Sequence, residues 1–148
     1  MLPSMRWVAS ALVALVLAPA AHAGQHEREL RALVNGERAG HGVAGLRHSP
    51  ALTRSAQRFA RHLLRRGVLA HGTRIAAPRR FRRLGENLAL VGGRAPRADR
   101  AVQLWLRSPG HRGVMLDRRM RRIGVGRASG LFGGRPATVW VLQVGRQR

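Results

Sequence analysis

The chain has 148 residues, with 28 basic side chains against 6 acidic ones and a formal net charge of +22. It contains no cysteine, which excludes disulfides, thiolate metal centres and a cysteine nucleophile. Every basic residue is arginine, a planar fork suited to carboxylate and phosphate; such a charge favours polyanionic partners without identifying one.

In chain order, Met1 to Arg6 is a short leader with one positive residue, and Trp7 to Leu17 is almost wholly apolar. Pro19 breaks any helix, and Ala21-His22-Ala23 fits a small-x-small cleavage motif. Residues 1–23 are therefore expected to be a secretory signal peptide, leaving one domain over 24–148. The apolar run is short and wrongly flanked for a transmembrane helix, an uncleaved N-terminal anchor being the alternative, and the mature chain is expected to have no transmembrane segment. It is expected to be exported, to the periplasm or beyond the cell, and to act as a monomer. Without disulfides, its core must stand on packing alone.

Gln25 to Arg38 reads as a helix: Leu30, Leu33, Val34 and Glu37 fall at helical spacing, with Glu27 and Glu29 in the first turn, where the dipole favours them. Gly40-His41-Gly42 ends it. A second helix opens with Ser49 as N-cap and Pro50 at the first position. Leu52, Ala56, Phe59, Ala60 and Leu63 form its apolar stripe, and Gly67 is placed to terminate it. Residues 68–84 read as a loop that includes Arg79-Arg80-Phe81-Arg82-Arg83. Leu88 to Val91 is a short apolar segment, punctuated by Gly92-Gly93. A third helix starts at Pro96 and carries Val102, Trp105 and Leu106. Ser108-Pro109 stops it and offers a cap to a short fourth helix containing His111 and Met115. Two strands, 123–128 and 137–144, close the chain, joined by a glycine-rich hairpin loop over 129–136. Helices first and strands last predict an α+β layered domain with a mainly antiparallel sheet.

Three motifs carry candidate chemistry: His71 in Ala70-His71-Gly72, Glu86 in Gly85-Glu86-Asn87, and His111 in Ser108-Pro109-Gly110-His111-Arg112. Two imidazoles and a carboxylate can bind a divalent metal or move protons. They are 15 and 25 residues apart along the chain, so no local spacing rule joins them. Taken singly, each has a plainer role, the histidines locking loops by backbone hydrogen bonds and Glu86 fixing a turn.

The order of motifs is more specific than any one of them. It runs Asn35-x-x-Arg38, Leu46, the Leu52/Ala56/Ala60 helix, His71, Gly85-Glu86-Asn87, Trp105, Ser108-Pro109-Gly110-His111-Arg112, Ile123-Gly124-Val125-Gly126 and Trp140-x-x-Gln143-x-Gly145. This order resembles the bacterial branch of the CAP superfamily, the SCP-like extracellular domains, from about residue 28 to 145. The resemblance implies a three-layer α-β-α sandwich and export. It also implies a cleft in which His71 and His111 contact a ligand or a divalent metal such as zinc, with Glu86 as the matching acid. Many relatives place a second acid on the helix before the second histidine. Here that helix reads Ala101-Val102-Gln103-Leu104-Trp105-Leu106-Arg107 and has none, so the four-residue cluster is incomplete.

The expected function is binding of an anionic or amphipathic envelope ligand, a polymer or lipid, at His71, Glu86 and His111. Glu86 is either a third metal ligand or the group orienting one histidine. The alternative is a metal-assisted hydrolase using the same three residues; no Gly-x-Ser-x-Gly elbow is present. Ser108, a helix cap by position, is a poor nucleophile. Non-specific binding of polyanions is the other class. Nucleic acid is disfavoured by export, dispersed arginines and the absence of a stacking set. Asn35 and Arg38 are expected to tie the first helix to its neighbours, and Trp105 and Trp140 to be core. The arginines of 79–83 are read as a basic rim to the cleft or as a solvated loop.

Overall fold

The computed structural model describes residues 24–148, so the expected signal peptide lies outside the described residues. Its elements are α1 (Gln25–Gly40), β1 (Arg47–His48), α2 (Pro50–Arg66), β2 (Phe81–Gly92), α3 (Ala98–Arg107), α4 (Pro109–Leu116), β3 (Arg122–Phe132) and β4 (Arg135–Gln147). The sheet order is β1-β3-β4-β2. β4 pairs antiparallel with β2 and with β3, and the short β1 runs parallel to β3. The sheet is thus mixed, with its long ladders antiparallel, and the chain folds as the expected α+β sandwich.

Strand alternation sorts the core into two layers. Trp140, Leu142 and Val144 of β4 pack with Leu30 and Val34 of α1, Val102 and Trp105 of α3, and Met115 of α4. Val139 and Val141 face the other way, onto Ala56, Ala60 and Leu63 of α2. β4 is therefore buried on both faces from Ala137 to Gly145, which explains its near-continuous apolar sequence. Gly124 and Gly126 of β3 face α2, where a β-carbon would collide with the helix backbone at Leu52–Thr53 and at Ala56–Gln57. The Gly-x-Gly alternation therefore lets α2 lie directly on the sheet.

Several expected boundaries move. Residues 81–84 belong to β2, not to a loop: pairing with β4 carries the strand to Phe81, with a register shift between Phe81 and Arg83. The third helix begins at Ala98, two residues after Pro96, with Asp99 in its first turn. The hairpin loop shrinks to Gly133-Gly134, at φ 58° and 79°, the left-handed pair of a two-residue turn. Ser49 caps α2 through its side chain, which accepts from the Leu52 N–H at 3.3 Å. Ser108 sits between α3 and α4 but makes no such side-chain bond.

The first helix is tied down as its polar residues suggest. Asn35 donates to the Leu46 carbonyl and accepts from the Leu46 N–H, at 3.1 and 2.8 Å. Arg38, fully buried, donates to the carbonyls of Ala44, Met115 and Asp117. Trp105 is buried and donates to the Leu88 carbonyl at 2.9 Å, satisfying an acceptor on the edge strand β2.

Candidate functional site

β2 is the edge strand that builds the site. Glu86 stands opposite Gln143 and Asn87 opposite Leu142 in the β2–β4 ladder, so the two neighbours point to opposite faces of the sheet. On the α2 face, Glu86 Oε1 lies 3.0 Å from His71 Nδ1, and Gln143 Nε2 donates to Glu86 Oε2 at 2.9 Å. On the opposite face, Asn87 Nδ2 donates to the backbone carbonyl of His111 at 2.8 Å, fixing the start of α4. The rings of His71 and His111 then meet past the strand edge, with centroids 6.5 Å apart and planes tilted by 37°.

The three expected residues thus come together, each with a distinct role. The Glu86 side chain is 6% exposed and that of His71 52%, so a sheltered carboxylate holds an accessible ring. Both Glu86 oxygens are engaged, one by His71 and one by Gln143, which is how a carboxylate orients an imidazole. A carboxylate only accepts, so His71 donates through Nδ1 and turns Nε2 away from Glu86. Burial lowers the His111 pKa below the usual imidazole value, and charge on His71 lowers it further. Both effects disfavour the charged form of the His111 ring. Two imidazoles thus face each other with a carboxylate behind one of them, and among the described residues no three His, Asp or Glu side chains are gathered closely enough to hold a metal ion.

Glu86 does not fix a turn, its plainer reading; it and Asn87 both lie in a strand and act through side-chain bonds. Gln143 is legible in the sequence within the Trp140-x-x-Gln143-x-Gly145 motif but carries no role there; its register opposite Glu86 makes it the donor to that carboxylate. The basic rim is also displaced. Arg82 and Arg83 line a separate hollow with Arg119 and Arg146, while the arginines beside Glu86 are Arg58 and Arg74.

Comparison with known proteins bears on the family and the fold. A family model, the CAP domain of the cysteine-rich secretory protein family, matches residues 31–144. No curated protein matches the sequence. Among solved structures, the fold is similar to an outer surface protein of Borrelia burgdorferi at 18% identity and a TM-score of 0.71, covering 84% of this chain and 94% of that one. It is also similar to an extracellular SCP-domain protein of Bacillus anthracis at 20% identity and a TM-score of 0.63, covering 81% of this chain but 40% of that one. A cysteine-rich secretory protein of Staphylococcus aureus aligns at 14% identity and a TM-score of 0.56, covering 87% of this chain and 40% of that one. Among the described residues, no helix is long and apolar enough to cross a membrane. With its family model matched over residues 31–144, most of its length, the chain belongs to the cysteine-rich secretory protein (CAP) family.

Proposed function

We propose that this is an exported CAP-domain protein that binds an anionic or amphipathic ligand of the cell envelope at the cleft formed by His71, Glu86 and His111. The observation that carries the reading is the chain of contacts from Gln143 to Glu86 to His71, which ends on an exposed ring facing His111. Outer-surface and extracellular descriptions of two similar structures, together with the leader sequence, support export.

His71 and His111 would hold a divalent cation such as zinc, with Glu86 orienting His71. Such an ion supplies Lewis-acid attraction for ligand oxygens. Gln143 and Glu86 fix the tautomer and direction of His71, Asn87 fixes the position of His111, and the arginines near the cleft attract negative charge. Titration of the purified protein with zinc tests this reading. We expect one ion per chain, lost in His71→Ala and in His111→Ala and weakened about 10- to 100-fold in Glu86→Gln. Zinc uptake unchanged in the double histidine variant would overturn the metal assignment.

The hydrolase reading draws on the same pair, since a carboxylate-held imidazole is the arrangement of a general base. It requires turnover of a peptide or ester that disappears in Glu86→Gln while the fold is kept.

A further inference from the structure

Beside Glu86, on the α2 side of the sheet, lies a cavity of about 190 Å³. Ser55, Arg58, Phe59 and His62 form one wall, at the three- and four-residue spacing that puts them on one face of α2. Ile75 and Ala76, from the segment between α2 and β2, line it as well, and Glu86 and Gln143 close it at the sheet. Arg58 and Arg74, both exposed, stand at its rim.

Two buried polar atoms among the lining residues have no hydrogen-bond partner, Ser55 Oγ and Gln143 Oε1. Their residues are 3% and 1% exposed. The orientation of the Gln143 amide is not arbitrary. Glu86 can only accept, so the amide nitrogen must face it and the oxygen is left over. A buried acceptor without a donor is costly, and a ligand that brings an N–H or O–H group removes that cost. The space is also suited to something specific. A dry apolar cavity of about 150 Å³ holds one benzene ring, and Phe59, Ile75 and Ala76 supply apolar walls here.

We propose that this cavity is a binding pocket for a small amphipathic acid. Its ligand has a hydroxyl that donates to Gln143 Oε1 and accepts from the Ser55 hydroxyl, and an apolar body about the size of an aromatic ring. An anionic group lies between Arg58 and Arg74, where guanidinium forks meet it. This inference deepens the cleft reading, on which it rests, by giving the ligand a chemical class.

The test is calorimetric titration of the protein with three probes at fixed ionic strength: 4-hydroxyphenylacetate, phenylacetate and 4-hydroxybenzyl alcohol. The first carries the donor, the ring and the charge; the others lack the donor and the charge respectively. We expect saturable binding of 4-hydroxyphenylacetate, about tenfold tighter than either analogue, the equivalent of one hydrogen bond or ion pair. Ile75→Trp fills the cavity from its loop side and should abolish binding, and Ser55→Ala should weaken it several-fold. Zinc uptake should persist in both variants, which shows that the cleft is still assembled. Equal affinity for all three probes, no saturation by the first, or full affinity in Ile75→Trp overturns the pocket. Zinc uptake by the wild type without binding of the acid rejects the pocket and keeps the cleft reading. Binding of the acid without zinc uptake rejects the metal and keeps the pocket.

Discussion

Arg38 carries its charge into the core with no carboxylate bonded to it. Its Nε donates to the Ala44 carbonyl at 2.8 Å, and its Nη1 to the carbonyls of Met115 and Asp117 at 2.7 and 3.1 Å. Met115 and Asp117 lie at the C-terminal end of α4, where the helix dipole favours a cation. Burial and the nearby Arg121 lower its pKa, and Asp117 opposes them. Since a hydrogen bond to a charged group contributes about 1.5–3 kcal/mol, Arg38→Ala should lower the unfolding free energy by about 3 kcal/mol or more in urea titration. Arg38→Lys should recover only part, because one ammonium cannot copy the fork. Two titrations are also fixed at this scale. His111, held below 6.5 by burial and by His71, binds its proton less tightly when folded. Its contribution to stability is therefore full above the unfolded value and is lost as pH falls through 6.5 to the folded value. An NMR titration of the metal-free protein should place its midpoint below that of a surface histidine. Asp117 behaves likewise at lower pH, its pKa depressed first by hydrogen bonding to Arg119. Its share of stability is present above 3.8 and lost on further acidification, so Asp117→Asn should flatten the acid limb of the stability curve.

At the scale of elements, the contact between α2 and β3 sets the spacing of one whole layer. Because β-carbons at Gly124 and Gly126 would strike the helix backbone, Gly126→Ala should cost about 1–3 kcal/mol or more by overpacking, read as a lower thermal midpoint. Gln57 reinforces the same contact: it donates to the Arg127 carbonyl at 2.6 Å and accepts from the Arg127 N–H at 3.1 Å. This covers a stretch of β3 that the two-residue β1 does not reach. The helices and the terminal hairpin were legible because their signals are local, in caps, periodicity and paired glycines. β1 was not, since two residues carry no period. The start of β2 was hidden because its arginines look like a solvated loop, and only pairing with β4 makes them a strand. His71, Glu86 and His111 were legible as a set through motif order alone. Gln143 was legible as a motif residue but its contact was not, because that depends on register opposite Glu86, which no local pattern encodes.

For the whole molecule, charge is the dominant imbalance. With 28 basic and 6 acidic side chains, self-repulsion opposes compactness. It is screened over about 8 Å at physiological ionic strength. Raising sodium chloride from low to moderate concentration should therefore raise the thermal midpoint, and binding of anionic vesicles should weaken steeply over the same range. A midpoint indifferent to salt would show that the arginines are too dispersed for their repulsion to matter.

The edge position of β2 has one more outcome. His71 is anchored from the side of α2, His111 from the side of α4, and their rings approach each other around the margin of the sheet. Whatever bridges both rings is thereby a rivet through two slabs packed on opposite faces of the sheet. Occupancy at a hundredfold excess over Kd would add about 2.7 kcal/mol to the resistance against unfolding. That gain would be shared by both slabs at once, so hydrogen exchange should slow in α2 and α4 together.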